Sequence, residues 1–456
     1  MASTKLTRTP STTTAVDAWT FSVWLKRSST GTSHDICSGR NNTDGGNNQS
    51  TFSFDANDNL YFDVYNGGSI VVKFITNRKF LDLNAWYHIV LDFDSSTAGA
   101  RSASDRMKVW VNGIRETSFS TEVQSAADQE TNFCQQNDCP IAIGANAGLR
   151  TATYNGLMSH INYVAGVGYP ASYFGETDAT TGIWKPKLSP SVTYGINGFF
   201  LKFNEGAFGT DSSPNGNNFT VNGSLTPTKD TPENVFATLN PLVLLNDNLV
   251  LSGGNLTASK ASGGTTGGYF STLGASSGKY YWEAKCIATG GSDGWIGIGQ
   301  DRTFRTNNGD YPGDNTYTVA IGHTGTLRYS GSNVGSYTAS SWTAGDIISV
   351  ALDLDNNYVY FAKNGTWMNS GVPTSGATGT GGYTNATIFD GSLILSVNSL
   401  YQSGGDYDWN FGNGYFGTTP VSSATTDESG LGIFEYTVPS GYYALCTKNI
   451  NTQEYA

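Results

Sequence analysis

Apolar and polar residues alternate in short runs along this chain, and long helical periodicity is absent. In 19–28, WTFSVWLKRS, the residues Trp19, Phe21, Val23 and Leu25 fall on one side of an extended strand, because successive Cβ atoms leave opposite faces of a sheet. In 86–94, WYHIVLDFD, Tyr87, Ile89, Leu91 and Phe93 share a face, and His88, Val90, Asp92 and Asp94 take the other. The second half repeats the pattern. In 345–355, GDIISVALDLD, Ile348, Val350, Leu352 and Leu354 lie together, opposite Ser349, Ala351 and Asp353. Such alternation predicts half-buried strands. Asp355-Asn356-Asn357 then tolerates left-handed backbone, and YVYFAKNG (358–365) returns with Val359 and Phe361 inward, ending in the turn Asn364-Gly365. Upstream, MKVWVNG (107–113) follows WYHIVLDFD after the longer loop SSTAGARSASDR (95–106). The two hairpins are either an active element present twice or one piece of scaffold used twice. Asp353 and Asp355 read as a solvent-facing strand position and a turn residue before any metal or acid–base role.

Organisation follows from the punctuation between strands. A first unit spans residues 1–223 and closes on Gly/Asn/Asp/Ser turns. Residues 224–248 carry several of the chain's few prolines and read as a linker packed partly on its neighbours. A second unit spans 249–413. The tail, 414–456, still alternates and is expected to dock. The Gly-rich runs GGYFSTLGASSG (267–278) and GATGTGGYTNAT (376–387) read as loops, because no helix pattern follows to present a phosphate site.

Composition supports an all-β fold: aromatics are 13 %, glycines number 56 and charged residues are only 14 %. The net charge is −12 and no Lys/Arg cluster occurs, which argues against nucleic-acid binding. There is no apolar run long enough to insert in a membrane, and the N-terminal stretch lacks the apolar core of a secretory leader. Five cysteines (Cys37, Cys134, Cys139, Cys286, Cys446) argue against a disulfide framework; Cys134 and Cys139 are spaced for a local bridge or for two free thiols.

Chemistry is sparse. His34, His88, His160 and His323 form no zinc spacing, and no nucleophile elbow or phosphate loop appears. Asp92, Asp94 and Asp105 are candidates to gather around Ca2+, although the ordered calcium loop is absent. A glycosidase needs two carboxylates across a cleft. Glu283, in YWEAKC, has no companion acid at i+2 or i+5 and reads as structural. Sugar or protein recognition would use loop aromatics with nearby polar groups. The candidates are Phe304, Tyr311, Asp314 and Tyr317 in 300–318, and Trp367 in 366–371; SGRNNTDGGNNQS (38–50) is polar enough to bind or simply to be solvated. Each of these aromatics reads first as a loop anchor on the sandwich rim and only then as a binding residue.

Residues 19–28, 86–94, 107–113, CPIAIGANA (139–147) and YNGLMSHINYVAG (154–166) resemble the laminin-G-like, concanavalin-type sandwich. GKYYWEAKC (278–286), GWIGIG (294–299), the 345–365 hairpin and DWNFGN (408–413) resemble the SPRY domain. The resemblance implies an all-β chain of two concanavalin-type antiparallel β-sandwiches (jelly-roll) in series. The arrangement, with GTDSSPNGNNFTVNG (209–223), FATLNPL (236–242) and FEYTVPSGYYALCTKN (434–449), also resembles virion proteins of tailed bacteriophages. That resemblance implies a non-enzymatic tail-fibre or receptor-binding component, assembled in the host cytoplasm into the virion. Its partners would be other virion proteins and host surface glycan or protein. Homo-oligomerisation, for instance as a trimer, would follow the habit of fibres. The alternatives are a capsid-decoration or head-fibre protein and, further off, a glycan depolymerase.

Overall fold

The computed structural model describes residues 4–455 except 15–16, 42, 45, 100, 149–151, 180–181, 205, 244–248, 261–265, 290–293, 301–310 and 401–403. It divides into two compact units, 1–227 and 228–456.

The first unit contains β1 (Lys5–Arg8), β2 (Ala18–Arg27), β3 (His34–Arg40), β4 (Gln49–Phe54), β5 (Asn59–Asn66), β6 (Ser69–Lys79), β7 (Tyr87–Asp94), β8 (Met107–Val111), β9 (Ile114–Glu116), β10 (Phe119–Val123), β11 (Ile141–Ile143), β12 (Gly156–Ala165), β13 (Gly175–Thr177), β14 (Trp184–Pro186), β15 (Phe199–Leu201) and β16 (Thr220–Asn222). One antiparallel sheet runs β10-β6-β5-β4-β3-β11-β1-β16 and the other β15-β12-β2-β7-β8-β9. Trp19, Phe21, Val23 and Leu25 from β2 and Ile89, Leu91 and Phe93 from β7 enter a shared core with Phe52, Phe62 and Phe133. The alternation therefore assigns the inward face correctly. The expectation of a half-buried strand is corrected, however: every residue of β2 is buried. Residues 166–179 and 182–198 lie over its outer face, where Phe174, Tyr194 and Trp184 pack with Val90 and Val164.

The second unit contains β17 (Leu249–Ser252), β18 (Thr257–Lys260), β19 (Gly267–Ala275), β20 (Lys279–Thr289), β21 (Gly294–Gln300), β22 (Thr318–Gly322), β23 (Thr326–Tyr329), β24 (Ser332–Asn333), β25 (Ile347–Asp353), β26 (Tyr358–Lys363), β27 (Thr366–Trp367), β28 (Ile394–Leu400) and β29 (Gly405–Asn410). One sheet runs β17-β18-β29-β20-β25-β26-β27 and the other β19-β28-β21-β22-β23-β24. The Gly-rich run at 267–278, expected as a loop, supplies β19: Tyr269 and Phe270 are buried on opposite faces, and the strand pairs with β28. Within the stretch read as a linker, Leu225 packs on the core of the first unit, while Phe236, Ala237 and Leu239 are buried in the second. The tail covers the outer face of β20, β25 and β26 with Phe434, Val438, Tyr442 and Ala444. Tyr443–Ala444 runs parallel to the start of β20.

The two hairpins occupy equivalent places, in the orders β12-β2-β7-β8 and β29-β20-β25-β26. Their turns match in detail. Asn112 and Asn364 both adopt left-handed backbone (φ 50° and 48°) and are followed by left-handed Gly113 and Gly365. Each asparagine closes the hairpin twice. Asn112 donates its N–H to the His88 carbonyl and accepts the His88 N–H on Oδ1, both at 2.8 Å; Asn364 does the same with Ile347, also at 2.8 Å. Asparagine serves because it tolerates this conformation and brings its own acceptor. An aromatic ring from the covering segment presses on each turn: a Cβ on Gly113 would meet Trp184 at 3.0 Å, and one on Gly365 would meet Tyr436 at 2.7 Å. The hairpin is one scaffold piece used twice.

Asp353 is not at a solvent-facing position. It is fully buried, accepts the Asn356 N–H at 3.0 Å and pairs with Lys279 at 2.9 Å. Among the described residues no helix is long and apolar enough to cross a membrane.

Candidate functional site

Each covered sheet face buries a titratable group whose partners come from the covering segment. In the first unit, His88 is wholly buried, stacked on Trp24 (rings 4.6 Å apart, 9° between planes). Trp184 Nε1 donates to its Nδ1 at 2.9 Å, and Ser22 Oγ lies 2.9 Å from its Nε2. Indole N–H only donates, so the histidine proton sits on Nε2 and points at Ser22. The pair therefore cannot work as serine nucleophile and histidine base, because the base nitrogen facing Ser22 carries the proton. Burial, with His160 nearby, pushes the imidazole pKa down to about 3, which keeps the ring neutral.

In the second unit, Glu283 is wholly buried. Its Oε1 accepts from the Tyr436 N–H and the Tyr281 hydroxyl, both at 2.9 Å; its Oε2 accepts from the Glu435 N–H at 2.9 Å and Asn410 Nδ2 at 3.4 Å. Burial raises its pKa to about 7 against the opposing pull of those donors. Glu283 is a clasp for the tail. Phe434 completes the contact with its ring edge-on to Tyr281 at 4.9 Å.

Asp92, Asp94 and Asp105 do not gather into an oxygen cage. The Arg101 guanidinium sits between the first two, 2.6 Å from Asp92 and 3.8 Å from Asp94, while Asp105 pairs with Arg115 and, at 3.9 Å, with Lys108. Among the described residues no group of three or more His, Cys, Asp or Glu is placed to hold a metal ion. The reason is visible in the loop, where Arg101 supplies a positive charge to the carboxylates that a cation would otherwise serve.

The loop candidates divide. Phe304 lies outside the described residues. Tyr311, Asp314 and Tyr317 belong to the turn leading into β22, and each is half-buried. Asp314 accepts the Tyr311 N–H at 2.8 Å and pairs with Arg328 on β23. The Tyr317 N–H is held by Asn315 Oδ1 at 3.0 Å, and the Tyr311 ring rests 5.8 Å from that of Trp295. The turn is thus ordered before any ligand arrives. Trp367 stands elsewhere, on the edge strand β27 of the other sheet, with its ring 6.5 Å from Tyr360. Sequence reasoning missed a second tyrosine pair, Tyr329 and Tyr383, with rings 6.0 Å apart; the Tyr329 hydroxyl donates to Asn385 at 3.0 Å. Tyr383 comes from the Gly-rich loop, and its antiparallel bridge to Val359 places it beside β26. Among the described residues of 38–50, Asn41 donates to Asp138, outside the stretch, and Asp44 accepts the Gly46 and Asn48 N–H groups.

With this geometry in place, residues 2–164 match the family described as the Concanavalin A-like lectin/glucanases superfamily, and residues 279–389 match the SPRY domain. The chain carries concanavalin-like and SPRY β-sandwich domains in series. No curated protein matches it. Similar solved structures include the SPRY domain of human HERC1 (18 % identity, 38 % of this chain, 96 % of that one, TM-score 0.29). A second human SPRY domain is 15 % identical over 36 % of this chain and 94 % of that one, with TM-score 0.28. Stonustoxin is 18 % identical over 38 % of this chain and 27 % of that one, with TM-score 0.28.

Proposed function

We propose that this protein is a non-catalytic adhesion component of a tailed-bacteriophage virion, a tail fibre or other receptor-binding part, and that it grips host surface glycan or protein through rim loops of the second unit. One contrast carries the reading. The histidine and glutamate best placed for chemistry are buried, satisfied and committed to holding covering segments. By contrast, the turn carrying Tyr311, Asp314 and Tyr317 is ordered and its three side chains are only partly buried. Such a surface offers ring faces for C–H stacking and a carboxylate for hydroxyl groups, at little cost in ordering. Single sites of this kind are weak, and many copies on one particle would make them effective. The virion assignment rests on the sequence resemblance.

The experiment is adhesion of the fluorescently labelled chain to host cells, with gold-labelled antibody locating the chain on intact particles. Cell binding together with tail or fibre labelling supports the proposal. Label on the capsid shell with no cell binding replaces it with capsid decoration, and shortening of host polysaccharide by the purified chain replaces it with depolymerisation.

A further inference from the structure

Two buried thiols meet inside the first unit. Cys37 on β3 and Cys134 in the turn after Phe133 are both fully buried, and their sulfurs lie 3.9 Å apart. The turn runs close against the strand: a Cβ on Gly39, two residues beyond Cys37, would sit 3.3 Å from the Asn132 carbonyl and 3.9 Å from the Cys134 nitrogen. Phe133 anchors the turn by entering the core beside Trp19, Phe21 and Phe62, and its carbonyl accepts from the Tyr163 hydroxyl at 2.8 Å. Cys139 is engaged differently, its thiol donating to Gln136 Oε1 at 3.3 Å. Cys286 and Cys446 belong to the second unit.

We propose that Cys37 and Cys134 are an oxidative modification site. They form an intramolecular disulfide that staples the 132–136 turn to β3 when that segment is open and a low-molecular-weight disulfide such as glutathione disulfide is present. Bonded sulfurs stand about 2 Å apart, so closure asks for roughly 2 Å of side-chain movement. In the opened segment each thiol in turn gives its proton to water, and the departing glutathione thiolates take protons up again. The first protein thiolate attacks glutathione disulfide, forming a mixed disulfide as one glutathione thiolate leaves. The second protein thiolate then displaces the remaining glutathione. Two protein thiols lose two electrons in total, and one glutathione disulfide becomes two glutathiones. The closed fold resists the reaction, because burial and the neighbouring Cys134 hold the Cys37 thiol protonated. Oxidation therefore belongs to folding or to local opening. The cross-link would join positions 97 residues apart and restrict the unfolded chain. This inference is independent of the adhesion reading.

The test uses the full chain. It is unfolded under reducing conditions, desalted, and refolded with either glutathione disulfide or reduced glutathione. Free thiols are alkylated and the products mapped by mass spectrometry, with cleavage before Asp138 to separate Cys134 from Cys139. In parallel, folded protein is held with glutathione disulfide without the unfolding step. The expected result is a peptide pair joining Cys37 to Cys134, an alkylated Cys139, slower formation from the folded protein, and a higher unfolding midpoint for the oxidised first unit. The variant Cys139→Ser is expected to form the same link. A Cys134–Cys139 peptide, loss of the link in Cys139→Ser, or full alkylation of Cys37 and Cys134 after both treatments would overturn the proposal.

Discussion

Replacing Glu283 by glutamine sets two opposing effects against each other. Three donors at 2.9 Å and one at 3.4 Å converge on this carboxylate, and two of them are tail backbone N–H groups. Glutamine retains one acceptor oxygen and turns an NH2 toward the donors at the other position. At least one buried N–H then loses its partner, at a cost of about 1–3 kcal/mol. Ionisation works the other way. Burial raises the Glu283 pKa from 4.5 to about 7. The group's contribution is therefore fully present below the unfolded pKa and is lost as pH rises through the folded one, by about 3 kcal/mol in all. Glu283→Gln should therefore be clearly destabilised at pH 5, and the deficit should shrink or vanish by pH 8. The assay is urea unfolding of the second unit across that range, with hydrogen exchange at Glu435 and Tyr436 as the local readout. A deficit that stays level from pH 5 to pH 8 would refute the reasoning, since it would mean that the four donors outweigh desolvation and keep Glu283 ionised across that range.

Other outcomes follow from the same geometry. Asn112→Ala and Asn364→Ala each lose an acceptor on a left-handed turn, and each should cost its own unit about 2 kcal/mol, measured by denaturation; very unequal costs would contradict the equivalence of the hairpins. Calcium or a chelator should leave the melting of the first unit unchanged, whereas Arg101→Ala, which strands a carboxylate that is only 2 % exposed, should cost about 3 kcal/mol. A calcium-dependent rise in the melting temperature of the unaltered protein would reinstate the three-aspartate site.

Strand faces and hairpin turns were legible because they depend on neighbours one or two residues away. Trp19, Phe21, Val23 and Leu25 announce their side of β2 by alternation alone, and Asn364-Gly365 announces its turn by conformational preference. The covered outer faces were not legible. Ser22, His88 and Glu283 have the composition of solvent-facing positions, and their partners arrive from far along the chain, Trp184 being 96 residues from His88 and Tyr436 being 153 from Glu283. The alternation of the tail predicts that it docks, but nothing local names the face it covers. The same limit applied to the cysteines: spacing singles out Cys134 with Cys139, whereas the fold brings Cys134 to Cys37. The aspartates misled for a related reason. A carboxylate cluster and a carboxylate–arginine network look alike until Arg101 is seen between its partners.

The adhesion reading is tested most directly by comparing host-cell binding of the unaltered chain with that of a variant carrying Asp314→Ala, Tyr317→Ala and Trp367→Ala, both checked for unchanged unfolding of the second unit. The account predicts saturable binding by the unaltered chain and at least a tenfold loss in the variant. Equal binding by the two would contradict it.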